Sequence, residues 1–167
     1  RYQPDGAGQP EGGWSVGSAA AWRGAVVQQR QRPVKAAAFG AQWSYELVRF
    51  DAAGAADAHG APGEVVYRTT SPFHGPLRVR DGKLYFAVQE LRPGYANREF
   101  GSYGYEAVLY ALDLESPRPR PRRVLQEAFR SFEVLPGGAV LLSRDRADAF
   151  GSEIRLLTAE DRRSRPL

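Results

Sequence analysis

Residues 132–161 read FEVLPGGAVLLSRDRADAFGSEIRLLTAED, and the same arrangement occurs twice more upstream. Two short apolar strands flank a charged stretch, with a Pro-Gly-Gly turn leading in and a Phe-Gly pair just ahead of the second strand. LRVRDGKLYFAVQELRP (77–93) with FGSYGYEAVLYALDL (100–114) forms the middle copy. AAWRGAVVQQRQRP (20–33) with FGAQWSYELVRFDA (39–52) forms the first. A glycine opens the strong strand each time, at Gly24, Gly82 and Gly138, so the copies are offset by 82 − 24 = 58 and 138 − 82 = 56 residues. The Phe-Gly pairs fall at Phe39, Phe100 and Phe150, spaced 61 and 50. Length variation therefore lies between the strands, where connecting segments absorb it.

Each unit reads as up to four short strands. A weak first strand such as Leu77–Arg80 enters the Asp81-Gly82 turn, a dipeptide suited to the positive φ of a two-residue hairpin. The apolar and period-2 patterning predicts strands over Ala25–Arg30, Glu46–Asp51, Lys83–Glu90, Val108–Leu114, Ala139–Arg144 and Ile154–Thr158. Outer strands are expected at Glu64–Arg68 and Arg123–Gln126. The third unit stops at Pro166-Leu167, where its own outer strand should begin. AAAFGAQWSYELVRF is the best helical candidate, but Gly40 and its β-rich tail argue against a helix. Four-stranded units at this period are the mark of propeller blades. The fold class expected is thus all-β, a β-propeller segment of about three blades: an arm over 1–18, then units over 19–73, 74–128 and 129–167.

LPGGAVLLSRDRADAFGSEIRLLTAEDR resembles the TolB-type propeller repeat, in which a Pro-Asp-Gly turn leads through an apolar strand to a Ser-x-Arg stretch. Asp81-Gly82-Lys83, Ser143-Arg144, VLYALD and EIRLLT carry the resemblance, and the first copy departs from it with Arg23-Gly24 at the turn. The resemblance covers about residues 20–167. It implies a propeller fold, a habit of binding partners, and an exported or periplasmic setting. In such a unit Phe39, Phe100 and Phe150 would occupy equivalent, mostly buried positions between blades. Three blades do not close a ring, so further blades are expected from the same chain or another one.

Composition narrows the classes. The 167 residues suit one ordinary domain, and 43% hydrophobic residues suffice for a core. Net charge is 23 − 19 = +4, which does not by itself indicate nucleic acid. There is no Cys for disulfides or thiolate metal sites. No apolar run approaches a membrane span and no signal-peptide pattern opens the sequence. The lack of any Met leads us to expect a processed chain or a piece of a longer one.

Chemistry-bearing motifs are sparse. His59 and His74 fall in Gly- and Pro-rich stretches read as loops, no Ser occupies a Gly-x-Ser-x-Gly elbow, and no cofactor or metal motif occurs. Asp51 and Asp113 end equivalent strands and are expected to cap the turns that follow. SPRPRPRRV (116–124) reads as a Pro-stiffened, solvated connection, the competing reading being a grip on phosphates or anionic lipid. A basic rim is more suggestive. Arg30 with Arg32, and Arg144 with Arg146, stand at +6 and +8 from their glycines, and Arg92 at +10 from Gly82. Even offsets share one strand face. Beside them the insertion LRPGYANREFGSYGYE holds Tyr95, Asn97, Arg98, Tyr103 and Tyr105, of types enriched at binding hot spots. The function expected is a non-catalytic propeller segment that binds a protein or peptide through this face. The alternative is a substrate-gating propeller of a larger hydrolase, such as a prolyl-oligopeptidase-like enzyme. A carbohydrate-active propeller finds no paired carboxylates on facing strands.

Overall fold

The computed structural model describes residues 15–37, 40–51, 63–97, 102–145 and 152–158. They form three antiparallel meanders in chain order. The first sheet runs β1 (Ser15–Trp22), β2 (Ala25–Ala37), β3 (Gly40–Asp51), β4 (Glu64–Thr69). The middle sheet runs β5 (Phe73–Arg80), β6 (Lys83–Asn97), β7 (Ser102–Asp113), β8 (Arg122–Glu127). The third has β9 (Ser131–Val134), β10 (Val140–Asp145) and β11 (Ser152–Leu157). Every strand pairs with its sequence neighbour within the sheet. The all-β expectation holds, and no α-helix occurs among the described residues. AAAFGAQWSYELVRF lies largely in β2 and β3 rather than in a helix.

The first two hairpins are set by their turns. Arg23-Gly24 and Asp81-Gly82 both have positive φ at each residue (44° and 75°, 50° and 71°). This is the twist a two-residue hairpin requires, and glycine supplies its second position without steric cost. The first copy makes the same turn although it lacks the Asp. In the third sheet Pro136–Gly138 forms a longer turn, with Leu135 N–H bonded to Ala139 O at 2.8 Å.

Alternation then decides the packing. Leu84, Phe86 and Val88 of β6 meet Val27, Leu47 and Val66 of the first sheet. Tyr85 and Ala87, on the opposite face, meet Phe132, Val134, Val140 and Leu142 of the third. The middle sheet is therefore buried on both faces, and the three sheets stack in chain order. Their first strands lie side by side, β1 along β5 and β5 along β9. Buried Gln29 ties β2 to both of the first pair: its Oε1 accepts from Ser18 N–H and its Nε2 donates to Gly75 O, each at 3.2 Å. Leu77 N–H donates to Ser18 Oγ at 3.0 Å, and Arg78 Nε to Glu133 Oε2 at 2.6 Å.

Several boundaries differ from the sequence expectation. Ser15–Ser18, assigned above to the arm, begin β1. His74 lies in strand β5, not in a loop, because Gly75 (φ 74°) and Pro76 are absorbed at an irregularity between His74 and Arg78. The polar insertion after Glu90 is a continuation of strand: β6 runs on to Asn97 and β7 begins at Ser102. Backbone pairing along the ladder keeps this polar segment extended. Phe39, Phe100 and Phe150 lie outside the described residues, as does His59.

Candidate functional site

The molecule has two ends. At one are the Arg23-Gly24 and Asp81-Gly82 turns, joined where Arg23 pairs with Glu115 at 3.0 Å beside Gly82. At the other, β2–β3 and β6–β7 outrun their flanking strands. Among the described residues β1 stops opposite Gln31 and β4 opposite Tyr45, whereas β2 and β3 stay paired to Ala37 and Gly40. In the middle sheet β8 stops opposite Ala107, while β6 and β7 stay paired to Asn97 and Ser102. Two two-stranded ribbons thus project from one end.

Each ribbon carries an Arg-Pro pair beside a bulge. Register slips by one residue between Pro33 and Lys35, and by three between Leu91 and Ala96, across Arg92-Pro93-Gly94-Tyr95. Proline cannot donate to the ladder, so it is tolerated at a bulge, and the bulge bends the strand. Arg32 and Arg92 are not equivalent in register: Arg32, paired with Ser44, stands where Glu90 stands in the middle sheet, and Arg92 lies in the bulge two residues further along. Counting from the glycines did not show the bulges; the shared Arg-Pro dipeptide is the signal that marks them.

The ten residues singled out above separate into groups. Arg32 is exposed at the base of the first ribbon. Arg92, Tyr95 and Asn97 lie on β6, and Tyr103 and Tyr105 on β7, all in the second ribbon. Arg98 and Arg146 lie outside the described residues.

Arg30 and Arg144 are instead engaged within the protein. Arg30 is 6% exposed and stands opposite Glu46, 2% exposed, which in turn stands opposite Arg68. Glu46 Oε1 accepts from Arg68 Nε at 2.7 Å, and the Arg30 guanidinium lies 5.2 Å from the Phe50 ring centroid. Burial lowers the Arg30 pKa, Glu46 raises it, and Arg32 lowers it further. Arg144 stands opposite Glu153 and donates to it through Nε at 3.0 Å. It also approaches Glu127 of β8 at 3.6 Å, and Arg155 reaches the same Glu127 at 3.2 Å, so charge links the third sheet to the middle one. The repeat thus places an Arg–Glu cross-strand pair at one position in the first and third sheets. Val88 and Val108 replace it in the middle sheet. The acidic partners Glu46 and Glu153 were missed because strand register is not visible in a one-strand count.

Two other groups have structural roles. His74 Nε2 lies 2.8 Å from Phe129 O, which can only accept, so Nδ1 is left to accept from Gln89 Nε2 at 3.3 Å. Asp113 Oδ1 accepts from Glu115 N–H at 3.0 Å, the turn cap expected of it. Near the ribbon bases a cleft of about 130 Å³ lies among Val16, Gln29, Arg30, Tyr45 and Phe73. It falls below the roughly 300 Å³ at which small-molecule sites begin.

Tyr67 and Tyr110 pack on Phe86, with their ring centroids 6.0 Å apart. Burial raises both phenol pKa values; for Tyr110 the hydrogen bond to Glu90 at 2.9 Å and the charge of Glu90 add to this, and Arg123 opposes it. The folded state therefore holds these protons more tightly than the unfolded chain. That contribution to stability is complete below about pH 10 and is lost as pH rises through the raised folded-state values. Thermal melts between pH 8 and pH 11 should show this alkaline loss, and it should shrink in a Tyr67→Phe/Tyr110→Phe variant. An equal slope in both proteins would remove these phenols as its source.

No family model, curated protein or solved structure matches this chain.

Proposed function

We propose that this chain is a non-catalytic segment of a β-propeller of the TolB-like kind, binding a protein or peptide through its ribbon end. Successive antiparallel meanders of four, four and three strands among the described residues, stacked face to face with first strands adjacent, support a reading as blades about an axis. The third sheet points to a further neighbour. Leu47, Leu109 and Ile154 are equivalent, each pairing with the residue five beyond its turn glycine. Leu47 and Leu109 are fully buried under the following sheet, whereas Ile154 is 70% exposed. Leu156, on the same face, is exposed too. Another sheet, from this chain or another, would bury them.

The observation that carries the binding role is the projection of both ribbons from one end. Strands unflanked at their edges offer backbone donors and acceptors to an extended partner segment. The second ribbon's sequence adds Arg92, Tyr95, Tyr103 and Tyr105, types that dominate interface energetics. Arg30 and Arg144 leave this contact set, because both are engaged within the sheets.

The test is affinity capture with the wild-type chain against a Tyr95→Ala/Arg98→Ala variant. A protein retained by the first should be lost or weakened at least tenfold by the second, with an unchanged melting temperature. Equal retention would remove the second ribbon as the contact.

A further inference from the structure

At the turn end, opposite the ribbons, the middle and third sheets part to leave a cleft of about 420 Å³. Its middle-sheet wall follows from strand register. Lys83 pairs with Asp113, and Tyr85 with Ala111, which pairs in turn with Arg122. These residues share the face that, one turn further along, packs on the third sheet through Ala87, Leu109 and Leu125. Arg120, from the Pro-rich connection into β8, joins them. The facing wall is the Gly137-Gly138 turn. Gly137 takes a positive φ of 74°, which favours glycine at this turn, and a Cβ placed there would meet nothing within 4 Å.

Its charge is one-sided. Lys83, Arg120 and Arg122 oppose Asp113, giving 3 − 1 = +2 across the lining. The neighbouring Arg123 is spoken for, since it donates to Gln126 at 2.9 Å and approaches Glu90 at 3.8 Å. Cations gathered in a recess, half shielded by Tyr85 and Val124, focus potential more strongly than the same charges spread over an open surface.

We propose that this cleft binds a phosphate monoester. Such a group carries about −1.5 to −2 charges near neutral pH, matching the +2 lining. Arginine suits it because the planar guanidinium donates two parallel hydrogen bonds to phosphate oxygens. The volume lies within the roughly 300–1,000 Å³ of small-molecule sites, enough for a phosphorylated metabolite or a phosphorylated side chain with its flanks. The SPRPRPRRV run thereby acquires a role beyond a solvated connection: two of its arginines, Arg120 and Arg122, line one cleft. This site is independent of the ribbon-end reading and survives its failure.

The test is an NMR titration of the isotope-labelled chain with inorganic phosphate, at ionic strength held constant with chloride. Saturable shifts at Lys83, Arg120, Arg122, Gly137 and Gly138 are expected, with apparent affinity at least tenfold weaker in Arg120→Gln/Arg122→Gln. Both arginines are exposed, so the variant should keep its fold; should it not, Lys83→Gln gives the same reading from the other strand. A phosphoserine peptide and a sugar phosphate distinguish the sources. Tighter binding of the peptide assigns the cleft to a modified protein, and equal or tighter binding of the sugar phosphate to a small molecule. Linear, unsaturable shifts spread over all the surface arginines, or no shift at the cleft, would overturn the proposal.

Discussion

Phe86→Ala is expected to cost about 4 kcal/mol, within the usual range for a core phenylalanine. The ring is fully buried at the centre of the face that joins the first and middle sheets. It lies 4.8 Å from Tyr67, 5.5 Å from Tyr110 in stacked geometry and 6.1 Å from Phe73 at a near-perpendicular angle. Truncation loses the transfer energy of the ring, leaves a cavity between two sheets that cannot readily collapse, and breaks three aromatic contacts at once. Urea denaturation should show the midpoint falling sharply. Ile154→Ala is the contrast: the side chain is large but mostly exposed, so its loss should stay within about 0.5 kcal/mol. Equal losses for the two would mean that the first and middle sheets do not pack on this face.

Glu46→Ala should be comparably damaging, at about 3 kcal/mol, for an electrostatic reason. Glu46 is the acidic centre of a row whose Arg30 flank is also buried, so its removal leaves a buried guanidinium without its cross-strand carboxylate. Arg68, largely exposed, contributes less, and Arg68→Ala should cost under about 1 kcal/mol. Replacing both buried members, as Arg30→Met/Glu46→Leu, should recover most of the loss, because apolar residues of similar volume often substitute for a buried pair at little cost. A double variant as unstable as Glu46→Ala would show that packing around Glu46, rather than its charge, holds this region. The result bears on function too. Arg30 stands two residues before Arg32, at the foot of the first ribbon, so the ion row anchors the point from which that ribbon projects.

Much of this protein is written locally. Asp81-Gly82 and Arg23-Gly24 fix hairpin turns because the required positive φ is a property of two residues alone. Alternation along Lys83–Glu90 fixes a strand with two distinct faces, and the repeat in register around Gly24, Gly82 and Gly138 fixes three like units. Asp113 caps its turn as its place at a strand end implies. The site was less legible. Counting from glycines placed Arg30, Arg144 and Arg32 on matching strand faces, but it did not show which of them is taken up by a carboxylate across the sheet. Nor did it show that the Tyr-rich insertion stays in strand, since a polar extended segment and a polar loop have the same composition.

The sequence by itself determined the strands, their turns and the repetition, because dihedral preference and period-2 burial act over neighbouring residues. Only the tertiary structure decided that Glu46 and Glu127 draw in the arginines, that two ribbons with Arg-Pro bulges project from one end, and that Lys83, Arg120 and Arg122 converge on a glycine turn. Those outcomes depend on cross-strand register and sheet stacking, which bring together residues that lie far apart along the chain.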